Sequence, residues 1–400
     1  MTLLLRAVWA ACSRQGGLDV ESGPRPAERS AMHAQVPYAA PEPVQAVIEQ
    51  LGRTEDVVFS PSNRRLAVAG FRANKIAVFD IVLSRTGAAS TIDIPRVIEI
   101  HAPFLSEPHG VCFLDERTLA VANRSGHVHV MDAPPPRTSH DRFVAGDRKA
   151  LRGGAEALVR APGSVAAIAL DSGALELAVC NNSAHYVTRH ILRDGRDLEI
   201  DGEDIFLEAG LDIPDGICYS PGGRWIAVSN HNTHSAFVYE RTPALNRHSV
   251  PDAVLRNVLC PHGIRFTADD NFILVADASA RYVNVYKRSG ARWQGACDPY
   301  ALFAVMERPV FTRGRLNPQE GGPKGIDIDR NMTVLVTTCE FQALAFFDLT
   351  QVLRRRERPE NRHKRYVRWR LENALHRRRP EIYDWLHGSP ARKARYSDSA

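Results

Sequence analysis

A short phrase recurs along the chain, and it limits the folds that the chain can adopt. Its clearest copy is the PHGIRF segment at 261–266, followed by an apolar run at 272–277 and an alternating run at 282–286. Each copy contains a turn, and the residue after the turn proline or its equivalent marks the repeat. These marker residues are Glu55, His109, Ser164, Asp215, His262 and Lys324. Intervals of 54, 55, 51, 47 and 62 residues, each with several short strands, are typical of the blades of a β-propeller.

Six copies predict an all-β, six-bladed β-propeller, with seven blades as the alternative count. An apolar stretch precedes each later turn and fits the outermost strand of the preceding blade, at 95–100, 156–159, 205–207, 253–259 and 300–305. No such stretch follows the sixth copy, so we expect the N-terminal segment at 43–51 to supply an outer strand that closes the ring. Closure removes exposed sheet edges.

Three regions follow from this pattern: a disordered leader at 1–37, the propeller at 38–350 and a basic helical tail at 351–400. The leader is rich in Gly, Pro, Ser and Arg, and Arg6 interrupts the apolar run that begins at Leu3. An N-terminal export signal and a translation start at Met32 are the alternatives for this segment.

The composition suits a soluble globular protein, with 44% hydrophobic and 24% charged residues. Seven cysteines, an odd number without a CxxC pair, predict buried thiols in a reducing compartment, and we expect the protein to be cytoplasmic. The formal net charge of +5 is unevenly distributed, because residues 353–400 carry 15 basic and 6 acidic side chains.

The basic tail is expected to contain a helix that ends before Pro380. Its apolar residues at helical spacing are Val367, Leu371, Ala374 and Leu375, and a second short turn is expected at Ile382, Trp385 and Leu386. The apolar face could pack on the propeller wall. Alternatively, the arginine clusters at 354–356 and 377–379 could bind an anionic partner or membrane surface.

Geometry gathers the marker residues at one mouth of the ring, because the turn before each inner strand opens on the same face. In a ring of six, Glu55 faces Asp215 and His109 faces His262. Two carboxylates alternating with two imidazoles predict a divalent-metal cage.

Asp215 or His262 is then the candidate general base, and Lys324 could hold an anionic substrate group or stabilise an oxyanion. Ser164 and Lys324 form the third opposed pair, with Ser164 a candidate for substrate binding.

A second set of polar residues lies four positions beyond the second strand of each blade. We expect four of them to bind substrate near the same mouth: His127, His185, His234 and Arg281. A further column ends the second strands, at Asn123, Asn181, Asn230 and Asp277, and these side chains are expected to cap the following turns. The sequence contains no GxSxG elbow, Walker loop, HExxH motif or specific nucleic-acid motif.

Two blades resemble a known superfamily. The segment IPDGICYS at 213–220 with WIAVSN at 225–230 is similar to a blade of the gluconolactonase-like (senescence marker protein) propellers, and PHG at 261–263 with 272–277 is similar to the YVTN-type lactonases. The resemblance implies a lactonase with a divalent ion held by a first-blade Glu, two Asn and the Asp of a Pro-Asp-Gly turn. Glu55 and Asp215 match, whereas His109 and His262 stand where Asn is expected, which favours zinc over calcium.

The leading functional hypothesis is therefore hydrolysis of a lactone or similar ester, with a small-molecule substrate and an axial metal. One alternative is a non-catalytic propeller that docks a partner through its face or its basic tail. Another is a lyase that acts on a cyclic or peptide substrate. The sequence does not indicate the oligomeric state.

Overall fold

The strands form six sheets arranged as a six-bladed β-propeller, as the repeats predict. The computed structural model describes residues 34–86, 89–136, 141–154, 156–193, 198–354 and 362–378, with Pro380 and Tyr383. Most of the expected leader and the expected turn at 382–386 lie outside the described residues. Within the described ranges, no helix combines the length and apolar character needed to cross a membrane.

Each of the first three blades is built around four antiparallel strands that run in chain order from the axis outward. The first contains β3 (Thr54–Phe59), β4 (Arg65–Gly70), β5 (Lys75–Thr86) and β6 (Ala89–His101), with β2 (Tyr38–Ala39) and β10 (Arg142–Val144) parallel to β6. The second contains β7 (Pro108–Asp115), β8 (Thr118–Asn123), β9 (Val128–Asp132) and β11 (Asp147–Leu151). The third contains β12 (Pro162–Ala169), β13 (Leu175–Asn181), β14 (Tyr186–Arg193) and β15 (Glu199–Leu207).

The fourth and fifth blades repeat this order, and the sixth repeats it in its three inner strands only, since its outermost strand comes from the N-terminal end of the described chain. The fourth contains β16 (Pro214–Tyr219), β17 (Trp225–Asn230), β18 (Ser235–Glu240) and β19 (Ala253–Arg256), with β23 (Gly295–Cys297) at its edge. The fifth contains β20 (Pro261–Phe266), β21 (Phe272–Asp277), β22 (Tyr282–Lys287) and β24 (Ala301–Ala304). The sixth contains β25 (Ile326–Ile328), β26 (Val334–Cys339), β27 (Gln342–Asp348) and β1 (Gln35–Val36).

An N-terminal outer strand closes the ring, but it is not the predicted segment. β1 pairs with β27 through Gln35 opposite Phe347 and Val36 opposite Phe346. Residues 42–50 form helix α1 (Glu42–Gln50) instead of the expected strand. Val44 and Ile48 are both buried and are spaced four residues apart, which is a helical and not a strand period. The propeller therefore begins before the expected boundary at residue 38.

The outer strand of the second blade also differs from the prediction. The expected stretch at 156–159 contributes only an isolated bridge between Gly153 and Val159. The strand is β11, which pairs with β9 and follows the proline run at 134–136. The long segment before the sixth blade contains helix α2 (Arg308–Gly314).

Apolar side chains fill the junction between each pair of neighbouring blades. At the closing junction, Val57 and Phe59 of the first blade pack with Val336 and Phe346 of the sixth, and α1 covers the same core through Ile48. Equivalent cores occupy the other five junctions of the described ring. Burial of both faces explains why the inner strands read as nearly continuous apolar runs.

Near the axis, the blades approach so closely that a side chain has no room. A Cβ at Gly216 would lie 2.0 Å from the carbonyl oxygen of His262, and one at Gly263 would lie 2.5 Å from that of Lys324. The Gly263 amide instead donates to the Lys324 carbonyl at 2.9 Å. The glycine of the turn phrase is therefore required by contact with the next blade, and the residue before it is held at the axis.

A buried arginine, Arg265, joins several blades through side chains of the inner strands. The Arg265 Nε donates to Asp327 Oδ1 at 3.0 Å, and its Nη2 lies 3.5 Å from Asp56 Oδ1. The two carboxylates also accept main-chain amides from other strands, Asp327 from Phe59 at 2.7 Å and Asp56 from Val111 at 3.1 Å. The network thus links the first, second, fifth and sixth blades.

The tail forms two helices, α3 (Leu349–Arg354) and α4 (Arg362–Arg378). The predicted helix in the tail is confirmed, but its predicted packing face is wrong. Val367 is 39% and Leu371 is 46% exposed, whereas Trp369 is 7% exposed. One aromatic ring, not the aliphatic stripe, anchors α4 on the propeller. Binding of the basic tail to an anionic partner or membrane surface stays a prediction.

We expect Arg265→Met to lower the free energy of unfolding by about 3–5 kcal/mol, because it leaves two buried carboxylates without their shared cation. Burial raises the pKa of Asp327 and raises that of Asp56 to about 6. Uptake of protons by these groups relieves the unpaired charge, so the deficit should shrink as the pH falls to about 5. Urea unfolding at several pH values measures both effects.

The matched control is Arg193→Met, which breaks an ion pair with Asp201 in which both side chains are about half exposed or more. It should cost less than about 1 kcal/mol. Equal losses for the two variants would show that the axial network contributes no more than a surface pair.

Candidate functional site

Five of the six marker residues meet at one mouth of the ring. Glu55, His109, Asp215, His262 and Lys324 are each less than 10% exposed, although they come from five different blades. All but Glu55 line an open cavity of about 380 Å³, and Glu55 lies beneath its floor. The predicted convergence of turn residues on the axis is therefore present in the structure.

Glu55 is the centre of this group. Its Oε1 accepts hydrogen bonds from Lys324 Nζ at 2.9 Å and from Arg53 Nε. Its Oε2 has no hydrogen-bond partner among the described residues, yet it lies 3.3 Å from His262 Nε2 and 3.6 Å from His109 Nε2. One oxygen is thus saturated by cations, and the other faces two imidazoles.

Protonation states follow from burial and from these contacts. Burial alone raises the pKa of Glu55, but Lys324 and the surrounding cations hold it well below its ordinary value, so Glu55 is ionised. Burial and the Arg124 guanidinium lower the pKa of His109 to about 3, so its ring is neutral. The His109 Nδ1 bonds to the Gly163 carbonyl at 2.7 Å, which leaves Nε2 as the acceptor that points towards Glu55.

Asp215 lies near the same nitrogen of His262 as Glu55 does. Its Oδ2 is 3.2 Å from His262 Nε2, and its Oδ1 accepts a hydrogen bond from Asn182 Nδ2 at 2.8 Å. Burial raises the pKa of Asp215, but His262, His109 and Arg124 together hold it far below its usual range. Asp215 is therefore a stable carboxylate at neutral pH.

Ser164 does not occupy the predicted position. Pro162 pairs with Asn181 as Pro108 pairs with Asn123, so Gly163 is the true counterpart of His109 and the expected register was wrong by one residue. A Cβ at Gly163 would lie 2.1 Å from Asn182 Oδ1. The third blade therefore contributes no side chain at the marker position, and Asn182 fills the space. Ser164 is buried in β12 and is not part of the cavity lining.

The first residue beyond the second strand lines the cavity in four of the six blades. Three of these residues are polar, namely Arg124, Asn182 and His231, and the fourth is Ala278. The Arg124 Nη2 lies 2.6 Å from His109 Nε2 and 3.4 Å from Asp215 Oδ1. None of the three polar residues is among the predicted site residues. The signal was present, because Arg124 follows Asn123 as Asn182 follows Asn181.

The predicted substrate-binding column has a different environment. His127, His185, His234 and Arg281 are absent from the cavity lining. Each bonds to the main chain between its own blade and the next. The pairs are His127 with Gly153, His185 with Ile213, His234 with Leu259 and Arg281 with Met306. These contacts join blades and leave the cavity to other residues.

The Asn and Asp residues that end the second strands also act structurally, but not mainly on the following turn. Each accepts a main-chain amide from the loop that enters its own blade. The donors are Ser106 to Asn123, Arg160 to Asn181, Asp212 to Asn230 and Leu259 to Asp277. These four side chains hold the loop that enters each blade, and they thereby position the marker residue that follows this loop.

The donor set suits a transition metal. Glu55 Oε2, His109 Nε2 and His262 Nε2 lie within 4.8 Å of one another and are buried, so this group could hold a metal ion. Ligand atoms bound to tetrahedral zinc at 2.0–2.2 Å are roughly 3.4 Å apart, which matches the 3.3 and 3.6 Å separations here. Asp215 does not join this group of three, so the predicted four-ligand cage is reduced to Glu and two His.

Charge around the cavity is balanced before any ligand binds. Arg53, Arg124 and Lys324 face Glu55, Asp215 and Glu320. A metal that binds His109 requires Arg124 to move from Nε2, because a lone pair serves one partner at a time. A guanidinium released in this way is available to an anionic ligand.

Comparisons with known proteins find similar folds at low identity. No family model and no curated protein matches the sequence. A candidate 6-phosphogluconolactonase from Bacteroides uniformis aligns with 12% identity and a TM-score of 0.48 over 71% of this chain and 77% of that chain. A candidate gluconolactonase aligns with 12% identity and a TM-score of 0.45 over 74% and 89%. A functionally unknown protein from Desulfotomaculum acetoxidans aligns with 13% identity and a TM-score of 0.48 over 74% and 83%. Likeness at this level assigns no activity to the chain.

We expect Gly163→Ala to destabilise the protein by about 1–3 kcal/mol, because the new methyl group must displace the Asn182 side chain from Asp215. Urea unfolding measures the loss, and a crystal structure of the variant shows the side chain. The neighbouring substitution Ser164→Ala leaves this contact intact and should cost less than about 1 kcal/mol. The opposite order of the two effects would restore Ser164 to the predicted position.

Proposed function

We propose that the axial cavity hydrolyses a lactone or similar ester of a small anionic molecule, with a divalent metal held by Glu55, His109 and His262. The observation that carries the proposal is the buried, unpartnered Oε2 of Glu55 beside two imidazole nitrogens, at the floor of an open cavity. A buried carboxylate oxygen without a hydrogen bond is costly unless something else satisfies it.

Zinc is the favoured ion over calcium. Two imidazoles and one carboxylate form a ligand set known from catalytic zinc sites, whereas calcium prefers six or more oxygen ligands. The bond from His109 Nδ1 to a main-chain carbonyl fixes its ring and leaves Nε2 for the ion. When bound, such an ion would polarise an ester carbonyl and lower the pKa of a coordinated water.

The expected bases are Asp215 and His262. With His262 among the residues that would hold the metal, His231 is better placed to accept a proton than Asp215. A carboxylate whose pKa lies far below its usual range is a weak proton acceptor. Burial lowers the pKa of His231, so its ring is neutral, and its Nδ1 has no hydrogen-bond partner among the described residues. Asp215 Oδ2 lies 3.9 Å from that nitrogen and would stabilise the imidazolium after transfer.

The proton balance of the reaction then closes within the cavity. Water oxygen forms a bond to the carbonyl carbon and passes a proton to His231, and the ring C–O bond breaks. The leaving alkoxide takes that proton, so the product is a hydroxy acid and His231 returns to its neutral form.

Arg124 is the side chain best placed to hold an anionic group of the substrate. It lines the cavity, its side chain is 25% exposed and it contacts both His109 and Asp215. Lys324, the expected anion holder, donates to Glu55 and is 3% exposed, so its main effect is to keep Glu55 ionised. Arg281, the other cation expected to bind substrate, is not in the cavity lining.

Purified protein is expected to bind one zinc ion, and His262→Ala should weaken binding and abolish hydrolysis on a panel of lactones. The loss of affinity should reach at least the roughly 100-fold that removal of a ligand's outer partner can cost. Isothermal titration with zinc and a turnover assay measure the two effects.

His101→Ala serves as the matched control, because that histidine is about half exposed and lies at the end of β6. It should leave both affinity and turnover unchanged. If His262→Ala keeps full turnover, the proposed mechanism is wrong.

We further expect Arg124→Gln to raise KM for lactones that carry a carboxylate or phosphate by about tenfold, as loss of one charge-assisted hydrogen bond predicts. KM for a neutral lactone of the same size should change far less. Steady-state kinetics on the matched pair measure the difference. An equal rise for both substrates would remove Arg124 from anion binding.

A further inference from the structure

The C-terminal helix α4 contacts the propeller at the rim of the axial cavity. Its Trp369 is buried against Cys260 and Ala278, and Ala278 lines the cavity. The indole Nε1 lies 3.2 Å from Ser279 Oγ and 3.1 Å from the Pro318 carbonyl oxygen, and it can donate to both. The edge of the ring also packs against His234, with ring centroids 4.5 Å apart.

A second contact fixes the same helix to the same place. Glu372, one turn beyond Trp369, forms an ion pair with Arg315. Arg315 also donates through Nη1 to the Ser279 carbonyl at 3.0 Å. Both partners of the pair are largely buried, so the contact is shielded from solvent and is stronger than a surface ion pair.

Both contacts act on one short segment, residues 315–320, which we name the rim loop. Arg315 begins it, and Pro318 accepts from the indole of Trp369. The next two residues, Gln319 and Glu320, line the cavity. The helix therefore holds a loop that forms part of the cavity wall.

Glu320 carries the connection to the centre of the site. Its Oε1 lies 3.0 Å from Arg53 Nη1 and 3.8 Å from Lys324 Nζ. These are the two cations that bond to Glu55. A displaced rim loop would remove a negative charge from both cations and change the field at Glu55 and its two imidazoles.

We propose that Trp369 is a positioning residue, and that helix α4 sets the electrostatics of the axial site by holding the rim loop. The propeller closes without α4, because β1 and not the tail completes the sixth blade. Release of the helix is therefore expected to alter the site while the blades stay folded.

Hydrogen exchange of the full chain tests the first step. Trp369→Ala should raise the exchange of the rim-loop amides about tenfold or more through local opening, with the blade strands unchanged. Trp369→Phe, which keeps a ring but loses the N–H donor, should give a smaller rise. Leu371→Ala, on the exposed face of the same helix, is the control and should have no effect. Unchanged rim-loop exchange in Trp369→Ala would overturn the proposal.

Ring resonances of His109 and His262 in histidine-labelled protein test the second step. Trp369→Ala should shift both, and Glu320→Gln should shift them in the same direction. In the double variant, the second substitution should add little, because both act through one carboxylate. Unshifted resonances, or fully additive shifts, would show that the helix does not act through Glu320. Neither readout needs a bound metal, so failure of the zinc proposal is distinguishable from failure of this one.

Discussion

Closure of the ring is the constraint on which the axial site depends. Two residues of β1 complete the sixth blade and bring the first and last blades into contact. Across that seam Lys324 bonds to Glu55, although 269 residues separate them in the chain, and Asp327 accepts the Phe59 amide. An open array would leave β27 as an exposed edge and would separate the cation from the carboxylate that it keeps ionised. The pairing of a two-residue strand therefore supports both the fold and the charge state of the site.

The turn phrase predicts most of this arrangement because one physical requirement recurs in most blades. A glycine is needed where the inner strand touches its neighbour, and the residue before it is consequently held at the axis. His109, Asp215, His262 and Lys324 could be placed together on this basis. Glu55 is followed by Asp56 and not by a glycine, and it is placed by its equivalent position in the first repeat. The marker residue of the third blade was predicted wrongly because Pro162, Gly163 and Ser164 allow two alignments with the repeat that differ by one residue. Only the strand pairing of β12 decides between them.

The remaining errors arise where a pattern does not specify its partner. A polar residue four positions past a strand can face the cavity or can bond to the main chain of a nearby loop. His185 and His234 have a left-handed backbone conformation, and their rings bond to the main chain of Ile213 and Leu259. The segment 43–51 reads equally well as an apolar strand or as a helix with buried Val44 and Ile48. In the tail, the aliphatic residues at helical spacing predicted the packing face of the helix. The side chain that packs on the propeller is instead Trp369, whose indole has hydrogen-bond partners there.

The charges at the mouth of the ring are balanced, so a bound ion changes the net charge of the site. Three cations and three carboxylates surround the imidazoles, so an added divalent ion leaves an excess of positive charge that favours an anionic ligand or hydroxide. The same balance explains why the third of these carboxylates, Glu320, has influence beyond its own contacts. It shares its charge between the two cations that saturate Glu55. A helix that fixes the position of Glu320 therefore acts on Glu55 through the rim loop and the two cations that Glu320 contacts.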